Sequence, residues 1–349
     1  MKIALVHRRF STNGGTERYL FGFARWLLAE GHDPVVLAND VRADLRDEPI
    51  RFVHLPMLRP TPFLKLPSLW RSASRALAAE SWDAVMGFGR TGGHQLFRAG
   101  GGSHVAALRR EHPWRRWLSP ADWLEMALDR RAVREARICI ANSQLGARGL
   151  REDYGAAAVE VVYNGVDLER FLPNLDVRAA LRAEGPGGRI DGPLAVFVGN
   201  GFRRKGLRTA IAALPPGWTL WVIGGDAAFS APPNVRFLGS QANPERFIQA
   251  ADLLVLPTRY DPFANVCLEA MACGVPVLTT TTNGASEVLP EPWMIADDVA
   301  TLRAAWAQVP LGGIDTDLGA RCRAIAERMT PERSYRRAFE LLRRAADGA

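Results

Sequence analysis

The chain has 349 residues, 48% of them hydrophobic and 23% charged, with a formal net charge of +7 and a pI near 9.7. This is ordinary globular composition, with enough chain for two domains of common size. No apolar run approaches the ~20 residues that cross a bilayer, which excludes a helical membrane span and leaves only peripheral contact. The short apolar run before His7 is too brief for a signal-peptide core. The basic balance favours phosphates, nucleic acid or anionic lipid as partners without choosing among them.

Residues 3–6 (IALV) read as a buried strand that opens the chain. After a loop, an amphipathic helix is expected from Thr16 to about Glu30, with Tyr19, Leu20, Phe23 and Leu27 on one face and Gly31 just past its end. Further apolar strands are expected at 34–38, 84–88 and 138–141. A polar segment with several glycines, 182–193, reads as linker. A second set then begins, with strands at 194–198, 219–223, 235–238, 253–256 and 276–280, and a last helix spans about 331–346 with Tyr335, Phe339 and Leu342 on one side. Strands alternating with helices predict parallel sheets covered on both faces. Two successive sets predict two doubly wound α/β domains with a cleft between them, and ligands outside the carboxyl ends of the strands.

The four cysteines, Cys139, Cys267, Cys273 and Cys322, form no CxxC pair and have no histidine near them. Cys139 in ICIA reads as a buried free thiol, and a reduced cytosolic compartment fits best. No metal ligand set is visible.

Five stretches could carry chemistry. In Asn13-Gly14-Gly15 the glycines allow close backbone approach ahead of a helix N-terminus, which suits an anion or a sugar, or else make a plain turn. In VGNGFRRKG (198–206), Arg203, Arg204 and Lys205 stand between glycines at a strand end, where they could neutralise a diphosphate. In YDPFANVCLEAMACGVPVLTT (260–280) a helix is expected over 263–273, with Pro262 at its start. The N–H groups of Ala264, Asn265 and Val266 would then face a phosphate, Glu269 would reach vicinal hydroxyls, and Asp261 would face whatever is bound at the helix mouth. His104 follows three glycines at a strand-to-helix transition and could face the cleft, whereas His94 reads as a surface-loop histidine. Finally, 109–137 carries eight arginines against five acids, interleaved with Trp114, Trp117 and Trp123. That pattern fits a membrane-surface segment, a nucleic-acid patch, or a helix packed on its own domain.

Together these motifs resemble the retaining family-four glycosyltransferases of the GT-B fold. The resemblance rests on Asp261, seven intervening residues, then Glu-Ala-Met-x-x-Gly-x-Pro-Val through Val277, together with FRRKG (202–206), ANS (141–143) and NGVD (164–167). It covers nearly the whole chain, and within the family the likeness is strongest to lipopolysaccharide core glucosyltransferases. It implies a nucleotide-sugar donor, UDP-glucose above others, with no cofactor or metal, and a lipid-linked glycan acceptor at the inner leaflet. The protein would be cytoplasmic and peripherally associated with the inner membrane, without nucleic acid as a partner.

Residues 1–168 would form the acceptor-side domain, with helix 330–346 packed back on it, and 190–329 the donor domain. Arg204 and Lys205 would hold the diphosphate, Glu269 the ribose, and Asp261 the donor-sugar hydroxyls. Ala264, Asn265 and Val266 would offer amides to the donor, Gly14 and Gly15 would lie against it, and His104 would sit beside the reacting sugar. Trp114, Arg115, Arg116 and Trp117 would touch the membrane.

Two departures from the family pattern stand out. The first acid is Asp where most relatives have Glu, and Gly100, Gly101 and Gly102 stand in a glycine run where close relatives can carry an Asp. Retention would follow from attack on the leaving group's side, because no nucleophile and acid pair ~5 Å apart is singled out. The rival readings are a nucleotide-sugar 2-epimerase of the same fold and a non-enzymatic basic surface protein.

Overall fold

A computed structural model describes residues 1–12, 14–58, 61–111, 119–227 and 229–348, apart from the side chains of Pro62 and Ile314. The chain divides into two compact units: Met1–Tyr163 with Pro331–Ala349, and Asn164–Thr330. Residues 164–168, expected with the first domain, and 169–189, expected between the two, all belong to the second unit.

Among the described residues the first unit has a seven-stranded parallel sheet. Its strands are β1 (Lys2–Val6), β3 (Asp33–Ala38), β5 (Arg51–His54), β6 (Ala84–Gly87), β7 (Leu96–Ala99), β8 (Ile138–Ala141) and β9 (Val159–Val161), in the order β5-β3-β1-β6-β7-β8-β9. A short parallel pair, β2 (Arg9–Phe10) with β4 (Asp40–Val41), extends beyond β1 and β3. The helices are α1 (Gly15–Ala29), α2 (Pro62–Ala78), α3 (His104–Glu111), α4 (Pro120–Glu135), α5 (Gln144–Tyr154) and the C-terminal α13 (Pro331–Asp347).

The expected apolar face of α1, Tyr19, Leu20, Phe23 and Leu27, is buried. It packs in one cluster with Ala338, Leu341, Leu342 and Ala345 of α13. Tyr335 of α13 meets Tyr19 edge-on, with ring centroids 5.0 Å apart. Aromatic burial of this kind anchors α13 firmly to the sheet it covers.

The second unit holds a five-stranded parallel sheet: β10 (Leu194–Val198), β11 (Thr219–Ile223), β12 (Val235–Gly239), β13 (Leu253–Leu256) and β14 (Val277–Thr279), in the order β12-β11-β10-β13-β14. Around it lie α6 (Leu175–Glu184), α7 (Phe202–Lys205), α8 (Leu207–Ala213), α9 (Pro244–Ala250), α10 (Asn265–Ala272), α11 (Val299–Trp306) and α12 (Asp317–Glu327).

In both sheets the strand order reverses beside the first strand: between β1 and β6 in one unit, and between β10 and β13 in the other. Loops leave in opposite directions at such a point and open a crevice at the carboxyl ends.

The expected linker is corrected. Residues 182–184 end α6, and the guanidinium of Arg182 bonds Asp252 Oδ2 at 3.2 Å and the Gly192 carbonyl at 2.6 Å. The segment is therefore stitched to its own unit despite its composition. The strands that local pattern missed are β2, β4, β5, β7 and β9. Of these, β2 and β4 hold two residues each, β5 and β9 are short and only half-buried, and β7 is buried but carries Arg98 within its four residues, so none shows the continuous apolar run that marked the others.

Candidate active site

Two sets of side chains gather at the two switch points, one in each unit. In the second unit, β10 runs into Gly201, which has φ 74 and begins α7, and Gly206, with φ 78, ends it. Left-handed glycines on both sides let one helical turn fit between strand and helix. The FRRKG segment is thus a single helical turn rather than an open loop, and Lys205 is buried rather than mobile.

Lys205 Nζ donates to Asp261 Oδ2 at 2.6 Å, and Arg204 Nη1 donates to the same oxygen at 3.0 Å. Asp261 Oδ1 accepts from the Phe263 N–H at 3.2 Å. Burial by itself would raise this carboxyl, but the charges of Lys205 and Arg204 outweigh it and hold the pKa below its ordinary value. The carboxylate therefore points inward onto the two cations. This corrects the expectation that it faces the helix mouth: β13 ends at Leu256, and the loop that follows brings Asp261 across α7.

The helix itself is shorter than expected. α10 begins at Asn265, with Ala264 as its N-cap and Pro262 outside it. The Ala264 N–H donates to Asn283 Oδ1 at 3.1 Å, so the expectation that it faces a ligand is also corrected. The amides of Asn265 and Val266 sit in the first turn, where a helix has no acceptor of its own to offer. Asn265 Oδ1 accepts from Asn164 Nδ2 at 2.6 Å, and Glu269 stands half-buried one turn further on.

One residue here escaped sequence reasoning. Asp226, just past β11, accepts from the N–H groups of Gly201 at 2.9 Å and Phe202 at 2.6 Å, which fixes the start of α7. An acid after a Gly-Gly at a strand end was the available signal.

In the first unit a cavity of about 320 Å³ opens at the carboxyl ends of β1, β6 and β7. His7 and Arg8 line it from the end of β1, Gly89 and Arg90 from the end of β6, Gly100 to Gly102 from the end of β7, and Thr16 and Glu17 from α1. His104, the first residue of α3, also lines it. Its Nε2 is buried without a hydrogen bond, 3.4 Å from Asp122 Oδ1 and 3.6 Å from Glu125 Oε2.

The backbone of His104 is pinned. Tyr154 Oη accepts from the N–H groups of His104 at 2.9 Å and Val105 at 3.4 Å, and donates to Asp129 Oδ2 at 3.4 Å. Arg90 binds Asp129 through two bonds of 2.9 and 3.1 Å and meets Glu125 at 3.0 Å. Burial pushes the Asp129 carboxyl above its ordinary value, against the opposing charge of Arg90. Tyr154, Arg90 and Asp129 were not legible beforehand, because their meeting depends on contacts 25 to 50 residues apart in sequence.

His94 is not a surface-loop histidine: its Nε2 lies 2.9 Å from the Ala132 carbonyl, and its ring stacks on Phe97. Gly14, with φ 99, caps α1, and a Cβ there would collide with the Glu17 carboxylate. Gly15 is the first residue of that helix. The expected membrane contacts Trp114, Arg115, Arg116 and Trp117 lie outside the described residues. Among the described residues no group of three or more His, Cys, Asp or Glu side chains could hold a metal ion, and no helix is long and apolar enough to cross a membrane.

Two doubly wound units, one carrying a pinned pair of cations at its switch point, are the parts of the GT-B fold class. Family comparison agrees: residues 13–170 match the model described as Glycosyltransferase Family 4, and residues 192–309 the one described as Glycosyl transferases group 1. The chain belongs to the family-four glycosyltransferases of the GT-B fold.

It is similar to a probable transglycosylase of Burkholderia thailandensis, 29% identical over 342 residues that cover 93% of this chain and 92% of the relative. Its fold is similar to that of WaaG, a glycosyltransferase involved in lipopolysaccharide biosynthesis (TM-score 0.78, 20% identity, covering 97% of this chain and 99% of that one). It is also similar to the fold of HepE from Anabaena, solved in complex with UDP and glucose (TM-score 0.70, 20% identity, covering 98% and 99%).

Proposed function

We propose that the protein is a retaining, metal-independent hexosyltransferase that moves glucose from UDP-glucose to a hydroxyl of a membrane-associated glycan, the lipopolysaccharide inner core. The observation that carries this reading is the Arg204–Lys205 pair held by Asp261 at the β10–β13 switch point. A departing nucleoside diphosphate builds up negative charge, and two cations already in place meet it without reorganisation. The first-turn amides of α10 add the positive end of a helix dipole. Glu269 serves the ribose hydroxyls, and Asp261 acts through the cations it holds. The acceptor hydroxyl attacks from the leaving group's side, and the diphosphate takes its proton.

The first unit presents the acceptor in its cavity, with His104 on the wall. Support for a UDP-sugar comes from the ligands named for HepE, and support for a lipopolysaccharide acceptor from the pathway named for WaaG. In this reading the protein works from the cytoplasmic side against the inner membrane, and the exposed apolar side chains Leu58, Phe63, Leu64 and Trp123 of the first unit, like Leu172, Leu175 and Leu311 of the second, are surface that suits a peripheral contact.

A thermal-shift series with UDP-glucose, UDP-galactose, GDP-mannose and ADP-glucose tests the donor, because a ligand of the native state raises the melting temperature by mass action. UDP-glucose is the expected responder. Stabilisation by none of the four would overturn the transferase reading, and an epimerised nucleotide sugar formed without transfer would replace it with the isomerase.

A further inference from the structure

The cavity of the first unit contains a positive charge that its walls do not answer. Of the cations that line it, Arg90 is paired with Asp129 and Glu125, and Arg98 is fully buried, its guanidinium 3.4 Å from the centre of the Tyr19 ring. Of the acids, Asp129 is taken by Arg90, and Glu17 faces His7 at 3.8 Å, a partner charged only when protonated, and lies beyond ion-pair distance of Arg8.

Arg8 is different. It is half-buried on the cavity wall, and among the described residues its guanidinium has no carboxylate within ion-pair distance and donates no hydrogen bond. Its main chain is fixed, because the Arg8 carbonyl accepts from the N–H groups of Asn39 at 3.1 Å and Asp40 at 3.2 Å. Burial first, and then the like charges of Arg9 and Arg90, lower its pKa against the pull of Glu17 and Glu125. A guanidinium keeps its proton even so. Gly100, Gly101 and Gly102 line the same cavity without side chains, which leaves room for a ligand.

We propose that the acceptor carries an anionic group, a phosphate or a carboxylate, and that Arg8 grips it with the planar fork that suits both. This rests on the reading that the first unit presents the acceptor. A neutral acceptor would leave Arg8 half-buried and unanswered, so the same residue rejects it. Arg8 is thereby a specificity-determining residue whose charge selects the substrate class.

The test uses the full chain with its donor unit saturated by UDP, so that added anions do not compete for the diphosphate cations. Calorimetric titration compares glucose 6-phosphate, glucuronate and glucose. At least one anionic sugar is expected to bind roughly tenfold or more tighter than glucose, as a charged hydrogen bond implies. The preferred arm tells phosphate from carboxylate. Arg8→Gln is expected to remove the preference, Arg8→Lys to keep part of it, and Arg71→Gln, on the exposed face of α2, to keep all of it.

Equal binding of the three sugars to the wild type would overturn the proposal, as would a preference that survives Arg8→Gln. Melting curves without ligand establish that the variant is folded, and Arg8→Lys decides the matter if it is not. If nucleotide sugars bind but no anion preference exists, this inference fails while the transferase reading stands. If no nucleotide sugar binds, the transferase reading fails by itself.

Discussion

Lys205 and Asp261 meet at 2.6 Å through Nζ and Oδ2, with side chains only 11% and 12% exposed. Removing one partner of such a pair leaves a buried charge without an answer. Asp261→Asn is expected to lower the unfolding free energy by about 3–5 kcal/mol, measured by urea titration. The pH dependence of that difference is a second check. Asp261 titrates below its ordinary 3.8 in the folded state, so the unfolded chain takes up this proton first as the pH falls. The stabilisation is therefore complete above about pH 4 and declines below it. Wild type and variant should converge in acid, and a constant gap down to about pH 2.5 would contradict the pairing.

Arg204 separates charge stabilisation from fold. Its side chain is 37% exposed, so Arg204→Ala leaves the buried Lys205–Asp261 bond standing. Loss of one preorganised cation at the leaving group should lower kcat by roughly 10²–10³-fold with the melting temperature nearly unchanged. Steady-state kinetics with UDP-glucose make the measurement. A rise in KM with kcat intact would move Arg204 from leaving-group stabilisation to simple binding.

Gly206 holds its place by shape. A Cβ there would run into the carbonyl oxygen of Pro257, which is backbone and cannot step aside, and the residue is already left-handed at φ 78. Gly206→Ala should cost about 3 kcal/mol or more in unfolding free energy. Gly101→Ala, with open space around its Cβ position, is the contrasting control and should cost far less.

Tyr154 Oη accepts both N–H groups that open α3. Tyr154→Phe leaves those amides without their partner and frees one contact of Asp129. A loss of about 1 kcal/mol is expected, the cost of half-buried donors that lose their partner. Amide hydrogen exchange should show faster exchange at His104 and Val105, and unchanged protection there would refute the role.

All four cysteines are buried, and burial pushes the thiols of Cys139, Cys267 and Cys322 up to about 12 and that of Cys273 higher still. Thiolate is the reactive form, so none should react with a disulfide reagent in the native protein near neutral pH. Four should react in denaturant. Any rapid native-state reaction would contradict their burial.

Local pattern carried the architecture well. Apolar strands of four or five residues at 3–6, 138–141, 194–198, 219–223 and 253–256 are strands in the structure, because a strand buried on both faces must be continuously apolar. The turn glycines between strand and helix, and the apolar face of α1, were equally plain, since these depend on neighbours within one or two turns.

What each motif residue does was decided elsewhere. Asp261 looked like a group waiting for a ligand and proved to be the anchor of Lys205, 56 positions away. Ala264 gave its amide to Asn283, and Asp226 reached back 24 and 25 residues to hold the start of α7. Arg8 was not singled out from the sequence, and became distinctive once folding set it half-buried on a cavity wall with no carboxylate at ion-pair distance among the described residues. By itself the sequence determined where chain periodicity places strands, helices and their glycine turns, because those preferences are local. Only the tertiary structure decided which charges meet and which is left unanswered, because an ion pair forms between elements that the chain brings together across the sheet.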